Sequence, residues 1–362
     1  MSADPSLALL ASAPTGEGER VLLLGCSGNP ELVATYAARY GEAFCHEDYL
    51  PAAEALPPSV KVLLGDLPCC EARPAGAAED FLPAHRFPIG YFDRIILHPG
   101  RGTALATAEL LESFRMLKIG GELLAAGANR EGVKSFAKRA GAHFGGGGLA
   151  ALKHSCRLLR FRKEGTEPSA PADDPEYYRS LIHSLAHPAG EIRYRTKPGI
   201  FAYRGTDPGT AALARHLPDC SGLRVLDLCC GSGALALAAY ARGAAEVWAT
   251  DASATAVACA GRNFAEAGRP DRAILSDLGA GIPGGFDLVL ANPPFHEGSA
   301  TDYSLPARVA AAIAAVLRPG GEARLVANQF LDYAGAAKGR FASSEAVARV
   351  PGYLIHRMVM PA

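Results

Sequence analysis

The sequence predicts two tandem α/β domains, each a mostly parallel, seven-stranded Rossmann-like sheet flanked by helices. Three observations predict it. The chain has 362 residues, 49% hydrophobic and 20% charged, enough for two domains with separate cores. Five strand-like blocks recur in the same order about 200 residues apart. A stretch rich in Pro and acids, EGTEPSAPADDPE (164–176), divides the copies. The boundary falls there, with a first domain over 1–165, a linker over 166–177 and a second domain over 178–362.

Each block pairs with its counterpart. VLLLGCSG (21–28) answers VLDLCCGSG (225–233), and FCHEDY (44–49) answers VWATDAS (247–253). VKVLLGDL (60–67) answers AILSDL (273–278), and FDRIILHPGR (92–101) answers FDLVLANPPF (286–295). LKIGGELLAAGAN (117–129) answers LRPGGEARLVAN (317–328). Short leucine- or valine-rich runs separated by Ala-rich helical segments are the pattern of a parallel sheet covered on both faces.

Composition removes several classes of function. No apolar run reaches the roughly 18 residues that a membrane helix needs. The N-terminal MSADPSLALLASAP lacks the basic region of a secretory signal. The nine cysteines include two adjacent pairs, Cys69-Cys70 and Cys229-Cys230, and no CxxC. Reduced thiols, no metal and a cytoplasmic location are therefore expected. The net charge of −1 hides an asymmetry: residues 130–163 hold nine Lys or Arg and one acid, Glu131. Such a block is either a phosphate-binding face or a solvated surface.

In the second copy an apolar strand reaches Asp227, then a glycine-rich turn carrying Gly231 and Gly233 runs into ALALAAYAR. Free N–H groups at that helix start suit a carboxylate or a phosphate, as in many nucleotide-binding folds. Asp251 closes the next strand, where its side chain can accept both ribose hydroxyls of a nucleoside. Asp277 closes the third, where it can accept from an adenine amine. Either could be a helix N-cap alone; together, with Ala252 and Leu278 beside them, they line the crevice at the strand ends. A nicotinamide enzyme would need a hydride-acceptor site, and no residue suggests one. S-adenosylmethionine (with S-adenosylhomocysteine as product) is the expected cofactor.

The fourth strand delivers Asn292-Pro293-Pro294-Phe295. Methyl transfer from a sulfonium is an in-line displacement that needs neither covalent nucleophile nor metal. The difficulty lies in the acceptor, because an aryl amine's lone pair is delocalised into its ring. The Asn292 side-chain oxygen and the Pro293 carbonyl can hold the two amine hydrogens, aim the nitrogen and stabilise developing positive charge. Two prolines stiffen that loop. Phe295 offers a ring on which a base can stack, worth roughly 1–3 kcal/mol. His296 follows, but the amine can lose its proton after transfer, so no base is obligatory and His296 reads as a loop residue. Asp207-Pro208-Gly209 reads as an N-cap followed by Pro at the first helical position.

These motifs resemble the class I methyltransferases that act on exocyclic or amide nitrogens. NPPFHEG (292–298), PGGEARLVANQFLDY (319–333) and KPGIFAYRGTDPGTAALARHL (197–217) are similar to the RsmC/RlmG group of bacterial rRNA guanine-N2 methyltransferases. GANREGVKSFAK (127–138) is also similar to that group. The resemblance implies two methyltransferase-fold domains, the first without a cofactor site, acting on ribosomal RNA or a ribosomal subunit, most readily 16S rRNA. It places Phe201 and Thr210 near the cofactor. Cys229 either contacts the cofactor through its backbone or fills the turn, and Asn328 either binds the guanine edge or caps. The first copy departs as a degenerate one should: Leu23 replaces Asp227, His98-Pro99-Gly100-Arg101 replaces Asn-Pro-Pro-Phe, and Asp66 is left as a lone carboxylate. That copy is expected to bind RNA through the 130–163 block and support the catalytic one in a monomer. Alternatives are a 23S rRNA guanine, a release-factor glutamine, an adenine of DNA, and an inactive RNA-binding module. The glutamine enzymes carry Tyr where Phe295 stands, adenine-N6 enzymes bring a separate base-recognition domain, and the intact acid set argues against an inactive module.

Overall fold

The computed structural model describes residues 4–70, 85–100, 102–167, 179–294, 296–297, 300–301 and 304–362, with backbone only at 69–70, 296–297 and 300–301. The expected linker lies outside the described residues from position 168 onward, as do Arg101 and Phe295. The chain forms two compact units, residues 1–180 and 181–362.

In the first unit the sheet strands are β1 (Gly18–Leu24), β2 (Tyr40–Glu47), β3 (Lys61–Leu64), β4 (Phe92–Leu97), β5 (Leu117–Ala128), β6 (Gly148–Lys153) and β7 (Cys156–Arg162). They lie in the order β3-β2-β1-β4-β5-β7-β6, with β7 alone running against the rest. The helices are α1 (Pro5–Ala11), α2 (Pro30–Ala37), α3 (Leu50–Glu54), α4 (Thr103–Met116) and α5 (Val133–Phe144).

The second unit repeats this plan with β8 (Arg224–Leu228), β9 (Glu246–Asp251), β10 (Ala273–Leu275), β11 (Phe286–Ala291), β12 (Leu317–Asn328), β13 (Ser343–Val350) and β14 (Tyr353–Val359). Their order is β10-β9-β8-β11-β12-β14-β13, the same topology strand for strand. Its helices are α6 (Pro208–Arg215), α7 (Ala234–Ala241), α8 (Ala254–Glu266), α9 (Leu305–Val316) and α10 (Tyr333–Ala337).

Both sheets are buried on both faces, which is why their central strands read as apolar runs rather than as alternation. In β1, Leu22 and Leu24 enter one layer while Val21 and Leu23 enter the other. In β8, Val225 faces one core and Leu226 and Leu228 the other. The duplication extends to backbone detail. A Cβ at Gly121 would lie 2.9 Å from the Lys118 carbonyl oxygen, and one at Gly321 would lie 2.9 Å from that of Arg318. The Gly-Gly turn entering β5 and β12 therefore serves one identical close approach.

Strand pairing puts residues of the two copies in register. Leu23 faces Ile96 as Asp227 faces Leu290, so Leu23 stands where the second copy has its buried acid. Glu47 pairs with Leu64 as Asp251 pairs with Leu275. Asp66 is thus not the lone surviving carboxylate expected from sequence, because Glu47 holds the place of Asp251. It is engaged internally: Glu47 accepts from the Ser27 hydroxyl and from the N–H groups of Asp48 and Tyr49.

One element went unforeseen. A hairpin, Leu181–His187 with Gly190–Thr196, precedes the second sheet and packs against α6, α7 and α8. Buried Asn263 of α8 holds it, accepting from Arg195 N at 2.8 Å and donating to Arg195 O at 2.9 Å.

Candidate active site

The glycine turn after β8 begins with Cys229 at φ 62°, followed by Gly231 at 52° and Gly233 at 78°. A left-handed non-glycine residue is uncommon and marks a turn held by its surroundings. The first copy places Gly25 at the position of Cys229, also left-handed at 64°. Gly233 needs more than its backbone angle, because a Cβ there would meet Ala260 at 3.1 Å and Phe264 at 3.3 Å. Asn263 also donates to Ser232 O at 2.8 Å, tying the turn to α8.

Asp227 is fully buried beneath this turn. Its Oδ2 accepts from Ala236 N at 3.0 Å, while Oδ1 has no partner among the described residues. Burial pushes its pKa up to about 7, opposed by the Ala236 N–H and assisted by the charge of Asp251. Asp251 ends β9 and accepts from Gly231 N at 2.8 Å and Ser253 N at 2.9 Å, so it braces the glycine turn and the start of α8 together. Asp277 lies two residues beyond the end of β10 rather than on it, with Arg308 of α9 at 3.6 Å. Leu278 follows with φ 47°, and both it and Ala252 are half-buried at the same strand ends.

Burial and the neighbouring acids push the Cys229 and Cys230 thiols well above their ordinary range, so both stay protonated. Among the described residues no group of three His, Cys, Asp or Glu could hold a metal ion. None of their helices is long and apolar enough to cross a membrane.

Asn292 follows β11 directly. Its Nδ2 donates to Asp207 Oδ2 at 3.0 Å and to Thr210 Oγ1 at 2.8 Å. Asp207, which caps α6 as its sequence context suggests, also reaches Asn292, 85 positions away, a contact with no local sequence signal. Pro293 is buried and Pro294 exposed. Phe295 and the side chain of His296 lie outside the described residues. Asn328 ends β12, the strand beside β11, half-buried opposite Tyr353. Phe201, in the loop before α6, is 59% exposed.

The set comprises a glycine turn, a buried acid with one oxygen unpartnered among the described residues, a carboxylate at the end of β9, a second just beyond β10, and an oriented amide. Residues 191–357 match the family described as the methyltransferase small domain. The chain is 32% identical over 306 residues to a ribosomal RNA small subunit methyltransferase C from Pseudomonas entomophila, covering 82% of this chain and 90% of that one. The namesake from Pseudomonas paraeruginosa is 33% identical over 249 residues, covering 68% and 73%. The chain belongs to the ribosomal RNA small subunit methyltransferase C family.

The fold agrees with that membership. The T. thermophilus 16S rRNA N2 G1207 methyltransferase, solved in complex with AdoMet and guanosine, superposes with a TM-score of 0.80 at 26% identity. The match covers 99% of this chain and 92% of that one, so it includes both methyltransferase-like units. The chain is a class I methyltransferase with a duplicated fold.

Proposed function

We propose that this chain transfers a methyl group from S-adenosylmethionine to the exocyclic N2 amine of a guanine in 16S rRNA. The observation that carries the reading is Asn292: both amide hydrogens are engaged within the protein, so its Oδ1 is left to accept from a ligand NH2 at the strand ends. The cofactor, when bound, supplies a methyl group activated by a positively charged sulfur.

The chain's residues do the rest. The Asp227 Oδ1, unpartnered among the described residues, suits a cationic group such as the ammonium of an amino-acid moiety. Asp251, at the end of β9, stands where ribose hydroxyls would lie, and Asp277, with Ala252 and Leu278, borders the place for the adenine. Asn292 Oδ1 and the Pro293 carbonyl accept from the guanine amine, hold its nitrogen towards the methyl and stabilise charge as it grows. Phe295 stacks on the base and Asn328 reads its edge.

In the first unit Leu23 and His98 stand at the positions of Asp227 and Asn292, so we assign that unit to gripping RNA and supporting its neighbour. The duplication supplies two domains in one chain, which supports action as a monomer. An rRNA substrate supports a cytoplasmic location. The relatives named above are small-subunit enzymes, which favours 16S over 23S rRNA and over a release-factor glutamine.

Asn292→Ala tests the assignment. Single-turnover methyl transfer to 16S rRNA should fall about a hundredfold or more, with cofactor affinity within about twofold of wild type. Parallel loss of cofactor affinity would show that Asn292 serves the cofactor rather than the amine.

A further inference from the structure

We propose that Asp207, with Thr210, is a positioning residue that locks the Asn292 amide with its oxygen towards the substrate; this rests on the methyl-transfer reading above. A carboxylate only accepts hydrogen bonds. With Asp207 Oδ2 3.0 Å from Asn292 Nδ2, a flipped amide would set oxygen against oxygen. Thr210 Oγ1, at 2.8 Å, takes the second amide hydrogen. The amide therefore has one stable orientation, and its remaining polar atom can only accept. A donor such as an amine is recognised; a carbonyl is refused.

The clamp is built into the start of α6. Asp207 is its N-cap, accepting from Thr210 N at 2.7 Å, and Pro208 stands in the first turn. The helix start thus holds the Asp207 carboxylate in place beside Asn292. Gly209 leaves it room: a Cβ there would lie 2.9 Å from Asp207 Oδ2 and 3.2 Å from the Tyr353 ring.

The first copy keeps the frame but not the head group. Asp4 caps α1 ahead of Pro5, and α1 lies on β5 and β7 as α6 lies on β12 and β14. His98, at the position of Asn292, reaches Ser6 Oγ at 2.8 Å and Asp4 Oδ2 at 3.7 Å. A capping aspartate tied to the loop after the fourth strand is thus common to both copies. Only the second gives it an amide to orient.

A double-mutant cycle separates orientation from mere support. Asp207→Ser retains a capping oxygen for α6 but is too short to reach Asn292, so the melting temperature should be preserved. Its single-turnover rate on 16S rRNA should fall about tenfold or more, with cofactor affinity within about twofold of wild type. Placed on Asn292→Ala, the same substitution should cost nothing further, and Thr210→Val should repeat the pattern with a smaller factor. The proposal is overturned if Asp207→Ser slows Asn292→Ala by the factor it slows wild type, or leaves the wild-type rate unchanged. A wild-type rate for Asn292→Ala itself would remove the reading of Asn292 and the clamp together, whereas an additive cycle with a slow Asn292→Ala removes the clamp alone.

Discussion

Asp227 is buried with one oxygen unpartnered among the described residues, and burial holds its proton up to about pH 7. Because the folded pKa lies above the ordinary 3.8, this group's contribution to stability declines as pH rises from about 4 to about 7 and is constant above that. A cationic ligand group needs the carboxylate, so cofactor binding should expel a proton below pH 7. Affinity measured by calorimetry should therefore tighten with pH by up to about tenfold per unit between about pH 5.5 and 7. Asp227→Asn should bind weakly and lose that slope. A wild-type affinity that is flat over this range would contradict the role given to Asp227.

The elements show which parts of this architecture sequence reveals. The ten repeated blocks are visible because strands buried on both faces read as apolar runs, and because Gly121 and Gly321 answer the same steric demand. The acids Asp227 and Asp251 are visible because strand-end chemistry in such sheets is local. The Asn292 clamp is not, since Asp207 already has a sufficient local explanation as a cap and its partner is 85 positions away. The matching Asp4-Pro5 cap hides for the same reason, in a segment with little else in common. The hairpin over 181–196 is missed because its placement comes from α6, α7 and α8 rather than from its own pattern.

The basic block over 130–163 also resolves by element. Arg160 is paired with Glu122, whereas Arg157 donates to the neutral Asn129 Oδ1 at 2.8 Å, which holds its guanidinium in place without compensating its charge. Arg130 and Lys134, on the segment leaving β5, and Lys153, beside the β6–β7 turn, are exposed with no carboxylate partner among the described residues. The Asn129 N to Ser155 O bond, 2.9 Å, joins that segment to that turn. Replacing these three by Ala should weaken RNA binding and lower the slope of log affinity against log salt by about 2 to 3. An unchanged slope would place the RNA contact elsewhere.

At the scale of the whole molecule, one topology has been used twice with different residues at equivalent positions. The second copy keeps a buried acid, two strand-end carboxylates and an amide whose hydrogens are engaged. The first keeps Glu47 and Asp66, but replaces the buried acid with Leu23 and the amide with His98. Glu109 lies fully buried in α4 below the loop after β4, accepting from Gly100 N at 2.8 Å, with its pKa raised to about 8 by burial. An apolar strand and a neutral carboxyl support that loop as structure, which fits the supporting role proposed for this unit. The most direct measurement is mass-spectrometric mapping of methylated guanosines in rRNA from cells lacking this chain, before and after incubation with the purified protein and S-adenosylmethionine. One N2-methylguanosine should appear in 16S rRNA; methylation confined to 23S rRNA, or no methylation of guanine in either RNA, would contradict the account.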